Sequence, residues 1–144
     1  MLKSCPYCNR IHESGHKCTA KMTAIRNRQN RLGTEADRFR RTFAWTSKSM
    51  AVRERDHHMC LCCKAQLMDT VRQVETVGLS VHHIVPVEED FEKRLDETNL
   101  ITVCVRHHEL CEAGKISRDM QRKLVEDSMR ERDREISADA VVIC

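Results

Sequence analysis

The alternation of apolar and polar positions predicts two short strands in the second half of the chain. An apolar run leads from Val77 into His82 and His83, and Pro86 ends it. A second apolar run, over residues 99–103, is expected to return beside the first. Consecutive side chains on a strand point to opposite faces, so we expect His82 and His83 to meet different surroundings.

Helices are predicted on both sides of this strand pair. Thr46 or Ser47 is expected to cap a short helix that ends at about Arg55. A second helix is expected from about Cys104 to Ala113, where Gly114 provides a natural stop in the left-handed conformation. Short strands and helices that do not alternate as βαβ units indicate the α+β class.

The composition limits the size of the core that these elements can share. The chain has 144 residues, of which 40% are hydrophobic but only 3% aromatic. Small cores are often held together by disulfides or metal ions, and nine cysteines and eight histidines are available. The first residues lack the apolar stretch of a signal peptide, and no run approaches the ~18 apolar residues of a membrane span. We therefore expect a cytoplasmic protein with no membrane partner, whose cysteines bind metal.

Charge is distributed unevenly along the chain. Residues 1–56 carry 13 Lys and Arg against 5 Asp and Glu, whereas residues 57–144 carry 12 against 17. Much of the excess lies in an Arg-rich stretch with few apolar residues, at about residues 21–41. A basic segment of this kind suits a polyanion such as nucleic acid. The alternative is an exposed linker that only keeps the protein soluble.

A first cluster of metal-ligating residues lies at the N-terminus. Cys5 and Cys8 are spaced so that both thiolates can bind one tetrahedral ion, and Cys18 can supply a third ligand. We expect His12 to be the fourth ligand of this zinc knuckle, with His16 as the alternative. The bland interpretation is a flexible tail with reactive thiols.

Two pairs of residues form a second cluster, and 40 residues lie between the pairs. Cys60 and Cys63 form a C-x2-C pair, and Cys104 and His107 form a C-x2-H pair. Four N and S ligands in two close pairs are typical of a closed structural zinc site. The alternative is a set of buried thiols without a metal.

Three stretches of the sequence together resemble the HNH endonuclease family, whose members share a ββα-metal fold. In chain order they are Arg55-Asp56-x3-Cys60-x2-Cys63, Val81-His82-His83-Ile84-Val85-Pro86, and Asn99-Leu100-x3-Cys104-x2-His107-His108. The resemblance covers about residues 39–120, and the pieces come in the family's order. The chain departs from many members in two places, since they have Asp at the position of His82 and glycine at that of His57.

The resemblance implies a role for each of the polar residues that a zinc staple does not need. His83 would be the general base, and Asn99 would hold the loop or the ring in position. His82 and His108 would bind a catalytic divalent ion, which Mn, Ni, Co, Mg or Zn could provide. Basic residues would grip the DNA backbone, and the positions expected to do so are Arg38, Arg40, Arg41, Lys48, Arg53 and Arg55.

Four segments are expected along the chain. They are a zinc knuckle over residues 1–20, a basic linker or arm over 21–38, a zinc-stapled ββα-metal (HNH) domain with flanking helices over 39–136, and a tail over 137–144. Ser117 is expected to cap the last helix of the third segment, at about residues 118–133.

The resemblance implies a metal-dependent DNA endonuclease that hydrolyses phosphodiester bonds. It is strongest to small HNH proteins of bacteriophages and prophages that carry an N-terminal zinc knuckle. Such a protein would act in the cytoplasm of the phage host, with DNA as its partner and a DNA-packaging terminase as a further candidate. Cutting both strands would need a homodimer or two encounters. The competing interpretation is a zinc-stapled DNA-binding protein without turnover.

Overall fold

A computed structural model describes residues 1–142 of the chain, and the side chains of all of these except residues 31, 32, 141 and 142. The predicted α+β class is confirmed. The strands are β1 (Leu2–Ser4), β2 (Ile11–Glu13), β3 (Ser80–His83) and β4 (Leu100–Val103). The helices are α1 (Thr19–Leu32), α2 (Glu35–Phe39), α3 (Phe43–Arg55), α4 (Leu61–Lys64), α5 (Val105–Glu112) and α6 (Arg118–Val142). Within the described residues, no helix is both long and apolar enough to span a membrane.

The chain forms two compact units, Met1–Phe39 and Arg40–Cys144. In the first, β1 and β2 pair antiparallel, with Leu2 opposite Glu13. The helices α1 and α2 follow, so that much of the Arg-rich stretch expected as a linker is helical. Gly33 separates the two helices with φ 67°, a conformation that glycine adopts without strain.

In the second unit, β3 and β4 form an antiparallel pair in which Ser80 lies opposite Val103 and His83 opposite Leu100. Helix α5 follows β4 and packs against both strands. It ends where the sequence predicts, because Gly114 adopts φ 72° and the amide of the next residue donates to the Leu110 carbonyl at 3.0 Å. Strand, return strand and helix therefore follow in the order that the ββα resemblance implies.

The core of the second unit is assembled from small aliphatic residues and thiols. Its main cluster joins residues of α4, β4, α5 and α6, and includes Ile101, Val103 and Val125, none of which is exposed. A smaller cluster places Val52 of α3 against Val81 and Leu100, with Trp45 at its edge. Because the chain has so few aromatic residues, cysteines fill space that larger side chains would otherwise take.

Two helices differ in extent from the prediction. Helix α3 begins at Phe43 because Thr42, and not Thr46 or Ser47, caps it by accepting a hydrogen bond from the Trp45 amide at 3.2 Å. Ser117 caps α6 as expected, through a bond from the Met120 amide. This helix continues to Val142, so the boundary expected at residue 137 falls inside it, and residues 143 and 144 lie outside the described part.

The turn after α3 explains one departure from the family pattern. His57 and His58 both adopt the left-handed conformation, with φ 54° and 52°. Glycine reaches this conformation without a steric penalty, whereas other residues are strained there by roughly 1 kcal/mol or more. A glycine at the position of His57 would fit the same turn.

Arg55 corrects one of the predicted DNA contacts. Its side chain is 2% exposed, and its guanidinium donates to both carboxylate oxygens of Asp56, at 2.7 and 2.9 Å. It also donates to the carbonyl oxygens of Glu97 and Leu100, each at 2.8 Å. The expectation that Arg55 grips DNA is therefore wrong. The sequence shows that the residue is charged, but not that the folded protein buries it beside Asp56.

The carboxylate of Asp56 completes this buried network. It accepts from the Thr102 amide of β4 at 3.0 Å and from the Ser128 hydroxyl of α6 at 2.8 Å. The Arg55–Asp56 pair thus connects α3 with the strand pair and with α6. A buried ion pair of this kind is stable only while every partner is present.

We predict that Asp56→Ala destabilises the second unit by about 3–5 kcal/mol, since it leaves the Arg55 guanidinium buried without its counter-charge. Urea unfolding of the metal-loaded protein, followed by circular dichroism, measures the loss. Asp119→Ala is the matched control, because it removes the carboxylate from a surface ion pair with Arg122. Equal unfolding midpoints for the two variants would contradict a structural role for the buried network.

Candidate active site

Four predicted ligands of the second cluster come together in the core. The Nδ1 atom of His107 lies 3.5 Å from the Sγ of Cys60 and 3.3 Å from those of Cys63 and Cys104. The Cys63 and Cys104 sulfurs are 3.9 Å apart. A tetrahedral zinc ion with bonds of ~2.3 Å to sulfur and ~2.0 Å to nitrogen has edges of about 3.5–3.8 Å. The four atoms therefore fit a closed tetrahedral metal site.

The surroundings of this cluster favour metal binding. The other ring nitrogen of His107, Nε2, donates to the Met68 carbonyl oxygen at 3.0 Å, which leaves the Nδ1 lone pair directed at the sulfurs. A hydrogen bond from the Cys62 thiol, together with backbone amides, lowers the pKa of Cys60 to about 4. Burial raises the pKa of Cys63 and of Cys104. All three thiols would therefore be fully deprotonated only when a cation is bound.

The N-terminal unit brings a second set of four ligands together. Cys5, Cys8, His12 and Cys18 offer ligand atoms that all lie within 4.8 Å of one another. The Sγ of Cys8 is 2.9 Å from the Nε2 of His12. His16, the alternative ligand, stacks on the His12 ring at a centroid distance of 4.5 Å. The geometry of this unit thus favours His12 over His16.

A third group lies at the junction of β3 and α5. It consists of His82, His108 and Glu112, whose potential ligand atoms also lie within 4.8 Å of one another. The His108 Nε2 is 3.3 Å from Glu112 Oε1, and its Nδ1 is 2.8 Å from the Ser80 hydroxyl oxygen. In the tautomer whose Nδ1 donates to Ser80, the Nε2 lone pair faces Glu112 and is available to a metal ion. Two imidazoles and one carboxylate form a donor set suited to Zn, Mn, Co or Ni.

The protonation state of His82 suits this use. Burial, with a smaller contribution from the neighbouring His108 ring, lowers the pKa of His82 to about 4. The ring is therefore neutral near pH 7 and has a lone pair to give to a metal ion. The His82 ring meets the His108 ring edge-on, at a centroid distance of 4.9 Å.

His83 points to the opposite side of β3, as the strand alternation predicts. Its ring stacks on Trp45 at a centroid distance of 4.6 Å, and its Nε2 lies 3.0 Å from the Arg94 carbonyl oxygen. Since a carbonyl oxygen can only accept, Nε2 carries the ring proton and the lone pair is on Nδ1. Burial is also the main cause that lowers the pKa of His83.

Asn99 holds the segments that surround His83. Its Oδ1 accepts from the Val85 amide at 2.8 Å, and its Nδ2 donates to the Val85 carbonyl at 3.0 Å. The Nδ2 also donates to the carbonyl of Lys93 at 3.2 Å. Asn99 thereby ties the loop after β3 to the 3-10 turn Phe91–Leu95, which carries the Arg94 carbonyl. In this position it acts on the geometry of His83 through the backbone.

A cleft of ≈ 580 Å³ opens over these histidines. His82, His83 and His108 all line it, so the metal group and the second histidine of β3 share one cavity. Basic, acidic and aromatic side chains from several elements complete its wall; among them are Arg40, Trp45, Ser49, Arg53, Glu88, Glu112 and Arg118. A cleft of this size and charge can receive one or two nucleotides of a phosphodiester backbone.

The predicted DNA contacts are divided by their position. Arg40 and Arg53 line the cleft, and the buried Nε of Arg53 has no hydrogen-bond partner within the described residues. Arg38 and Arg41 are exposed, and Lys48 is partly buried outside the cleft wall.

Sequence reasoning missed residues that complete the site. Glu112 follows His108 by four positions, a spacing that places two side chains on one helix face and that could have identified it. Ser80, Trp45 and Arg118 carried no comparable signal, because only the fold brings them to the histidines.

Residues 60–110 match the sequence model of the HNH endonuclease family. This range contains the four cysteine and histidine ligands of the core, both histidines of β3, and His108. The resemblance seen in the sequence is thus confirmed, and the chain carries an HNH endonuclease domain. A domain of this family is a nuclease domain, and nucleases hydrolyse phosphodiester bonds.

Among solved structures, the chain is similar to the HNH endonuclease of the deep-sea thermophilic bacteriophage GVE2, which was crystallised with a manganese ion. The two share 26% sequence identity, and the match covers 69% of this chain and 95% of the phage protein, with a TM-score of 0.46. No curated protein matches the sequence.

We predict that Cys104→Ser unfolds the second unit and abolishes metal binding by the core cluster, since metal binding contributes to the folding free energy of such a domain. Circular dichroism and the metal content of the purified protein test this. Cys111→Ser is the control, because Cys111 is a buried thiol of the same core that is not among the four ligands. A Cys104→Ser protein with native spectra and unchanged metal content would contradict the assignment.

We also predict that Glu112→Gln weakens binding of a divalent ion at the histidine group by roughly 10- to 100-fold, the range found when a group supporting a metal site is lost. Isothermal titration with Mn²⁺ measures this affinity. Glu109→Gln removes the same charge from the same helix outside the group and should leave it unchanged. Equal affinities for both variants would show that Glu112 does not bind the ion.

Proposed function

We propose that this protein is a metal-dependent DNA endonuclease that uses one divalent ion and His83 as the general base. The observation that carries the proposal is that the two adjacent histidines of β3 have different surroundings within one cleft. His82 faces the group that could hold a metal, while His83 faces Trp45 and the Arg94 carbonyl, and both line one cleft. A purely structural zinc staple would need neither histidine.

The proposed substrate is the phosphodiester backbone of DNA. Arg40 and Arg53 would contact phosphates from the cleft wall, and the basic residues of the N-terminal unit would add contacts that do not depend on base sequence. Arg53 supports this assignment, since a buried guanidinium nitrogen without a partner is costly unless a ligand satisfies it.

The catalytic ion would be held by His82, His108 and Glu112. When bound, it would supply a Lewis acid beside the scissile phosphate and the departing 3′-oxygen. The Ser80 hydroxyl would keep the His108 ring in the orientation that ligation requires. Three protein ligands leave coordination positions open, as a catalytic site needs. Zn, Mn, Co and Ni suit this mixed nitrogen and oxygen set better than Mg does.

His83 would remove a proton from the attacking water. The Arg94 carbonyl holds the Nε2 proton, so the water proton would pass to Nδ1. Attack of the resulting hydroxide on phosphorus would break the bond to the 3′-oxygen, and that oxygen would take a proton from a solvent water. The products would be the 5′-phosphate and 3′-hydroxyl ends that the family resemblance implies. Trp45 packs on the ring and limits its rotation, and Asn99 fixes the backbone on which Arg94 lies.

Zinc is the ion we propose for both cysteine-containing clusters. Three thiolates and one imidazole, as in Cys60, Cys63, Cys104 and His107, are typical of structural zinc sites. The N-terminal group has the same ligand types. In this account both ions stabilise the fold, and neither takes part in hydrolysis.

His83→Gln tests the base directly. Gln can still donate to the Arg94 carbonyl but cannot accept a proton from water. We expect an unchanged fold and DNA affinity, and a loss of supercoiled-plasmid cleavage of roughly 10²–10⁴-fold, the usual contribution of a positioned acid or base. His58→Gln, which changes an exposed histidine outside the cleft, should cleave like the wild type.

His108→Ala separates the two roles. It should also lose cleavage, but through weaker metal binding, so that excess Mn²⁺ restores part of the activity. Excess Mn²⁺ should not rescue His83→Gln. Normal cleavage by folded His83→Gln would contradict the assignment of the base, and identical metal dependence of the two variants would contradict the division between base and ligand.

A further inference from the structure

The cleft wall contains a cation that lies outside both the matched family range and the predicted DNA contacts. Arg118 is the first residue of α6, and its side chain lines the cleft together with the histidines of the proposed metal group. The family match ends at residue 110, before this helix begins. Arg118 therefore lies outside the part of the chain that matches the family model.

The guanidinium of Arg118 is engaged by a carboxylate in a two-pronged contact. Its Nη1 donates to Glu89 Oε1 at 3.0 Å, and its Nη2 donates to Glu89 Oε2 at 2.7 Å. The side chains of Arg118 and Glu89 are 45% and 54% exposed. Ion pairs this open to solvent are held only weakly, so another anion can take the place of the carboxylate.

The preceding residue repeats the arrangement. Glu88 accepts a hydrogen bond at 3.3 Å from Arg40, which also lines the cleft. Two consecutive carboxylates of the loop after β3 thus each contact an arginine of the cleft wall. A carboxylate and a phosphate can both accept two parallel N–H bonds from a guanidinium. The two-pronged contact of Arg118 with Glu89 therefore has the geometry in which Arg118 would bind a phosphate.

We propose that Arg118 is a phosphate-binding residue of the cleft, and that Glu89 occupies its guanidinium until the DNA backbone displaces the carboxylate. The inference rests on the proposed nuclease function and deepens it. It assigns to Glu89 a negative charge that opposes DNA binding, and to Arg118 a positive charge that favours it. The two members of one ion pair therefore have opposite effects on the same reaction.

This opposition distinguishes the proposal from a structural role. If the Arg118–Glu89 pair served only to dock α6 onto the loop, removal of either member would weaken the fold and lower activity in the same direction. If Arg118 binds phosphate, its removal weakens DNA binding, whereas removal of the Glu89 charge strengthens it.

The test uses the full-length, metal-loaded protein with Arg118→Ala and Glu89→Gln. Arg122→Ala is the control for the first, since Arg122 has a similar exposure of 47%, lies one turn further along α6, and pairs with Asp119 outside the cleft. Glu92→Gln is the control for the second, since Glu92 is exposed in the 3-10 turn that follows this loop and does not line the cleft. Affinity for a short duplex is measured in Ca²⁺, and cleavage of supercoiled plasmid in Mn²⁺.

We expect Arg118→Ala to weaken duplex binding by about tenfold and to lower cleavage by roughly 10- to 100-fold, because one positioned donor to the phosphate is lost. Glu89→Gln should bind the duplex about two- to fivefold more tightly, because a displaced negative charge no longer opposes the phosphate. Arg118→Lys should restore part of the binding, since Lys keeps the charge but not the two-pronged contact. Both controls should stay within about twofold of the wild type.

The proposal is overturned if Arg118→Ala binds and cleaves like Arg122→Ala, or if Arg118→Ala and Glu89→Gln shift affinity in the same direction. Should Arg118→Ala fail to fold, the sign of the Glu89→Gln effect and the partial activity of Arg118→Lys decide. A wild-type protein that binds DNA but cleaves none would refute the proposed function, while the affinity measurements would still judge Arg118.

Discussion

The convergence of Cys60, Cys63, Cys104 and His107 on one point is the constraint on which the second unit depends. Their ligand atoms are separated by the distances of a tetrahedral metal site. A chain with only 3% aromatic residues has a small core, and closing this site joins α4 to the start of α5. Because His108 follows His107 on α5, fixing one ring toward the thiols turns the next toward β3.

Two pairs of adjacent histidines, one on α5 and one on β3, therefore have different proposed roles within each pair. On α5, helical rotation separates the ligand of the closed site from the candidate ligand of the open one. On β3, the strand alternation separates His82 from His83. The buried Arg55–Asp56 pair fixes α3 and α6 against the strands, which keeps Trp45 and the cleft wall in place around these rings. Burial lowers the pKa of both strand histidines and so favours their neutral forms, which a metal ligand and a base both need.

The spacing of residues made much of the site predictable. The rest could not be predicted, because it depends on which side chains the fold buries or brings together. Ligand residues at fixed intervals, and the opposite orientation of His82 and His83, follow from the geometry of strands and helices and could be predicted from the sequence. Arg55 was misassigned because the sequence shows that Asp56 follows it but not that the fold buries the two residues as an ion pair. Glu112 lay at a predictable spacing from His108 but was not considered, whereas Arg118 reaches the cleft only through the packing of α6.

The most direct test of the account is incubation of the wild-type protein with supercoiled plasmid, with Mn²⁺ and with no added divalent ion, while circular dichroism verifies that the fold is intact in both. The account predicts nicked or linear DNA with 5′-phosphate ends in Mn²⁺, and bound but uncut plasmid without it. A folded protein that binds the plasmid and never cuts it, with Mn²⁺ or any of Co²⁺, Ni²⁺, Zn²⁺ and Mg²⁺, would contradict the account and favour a DNA-binding protein stapled by metal.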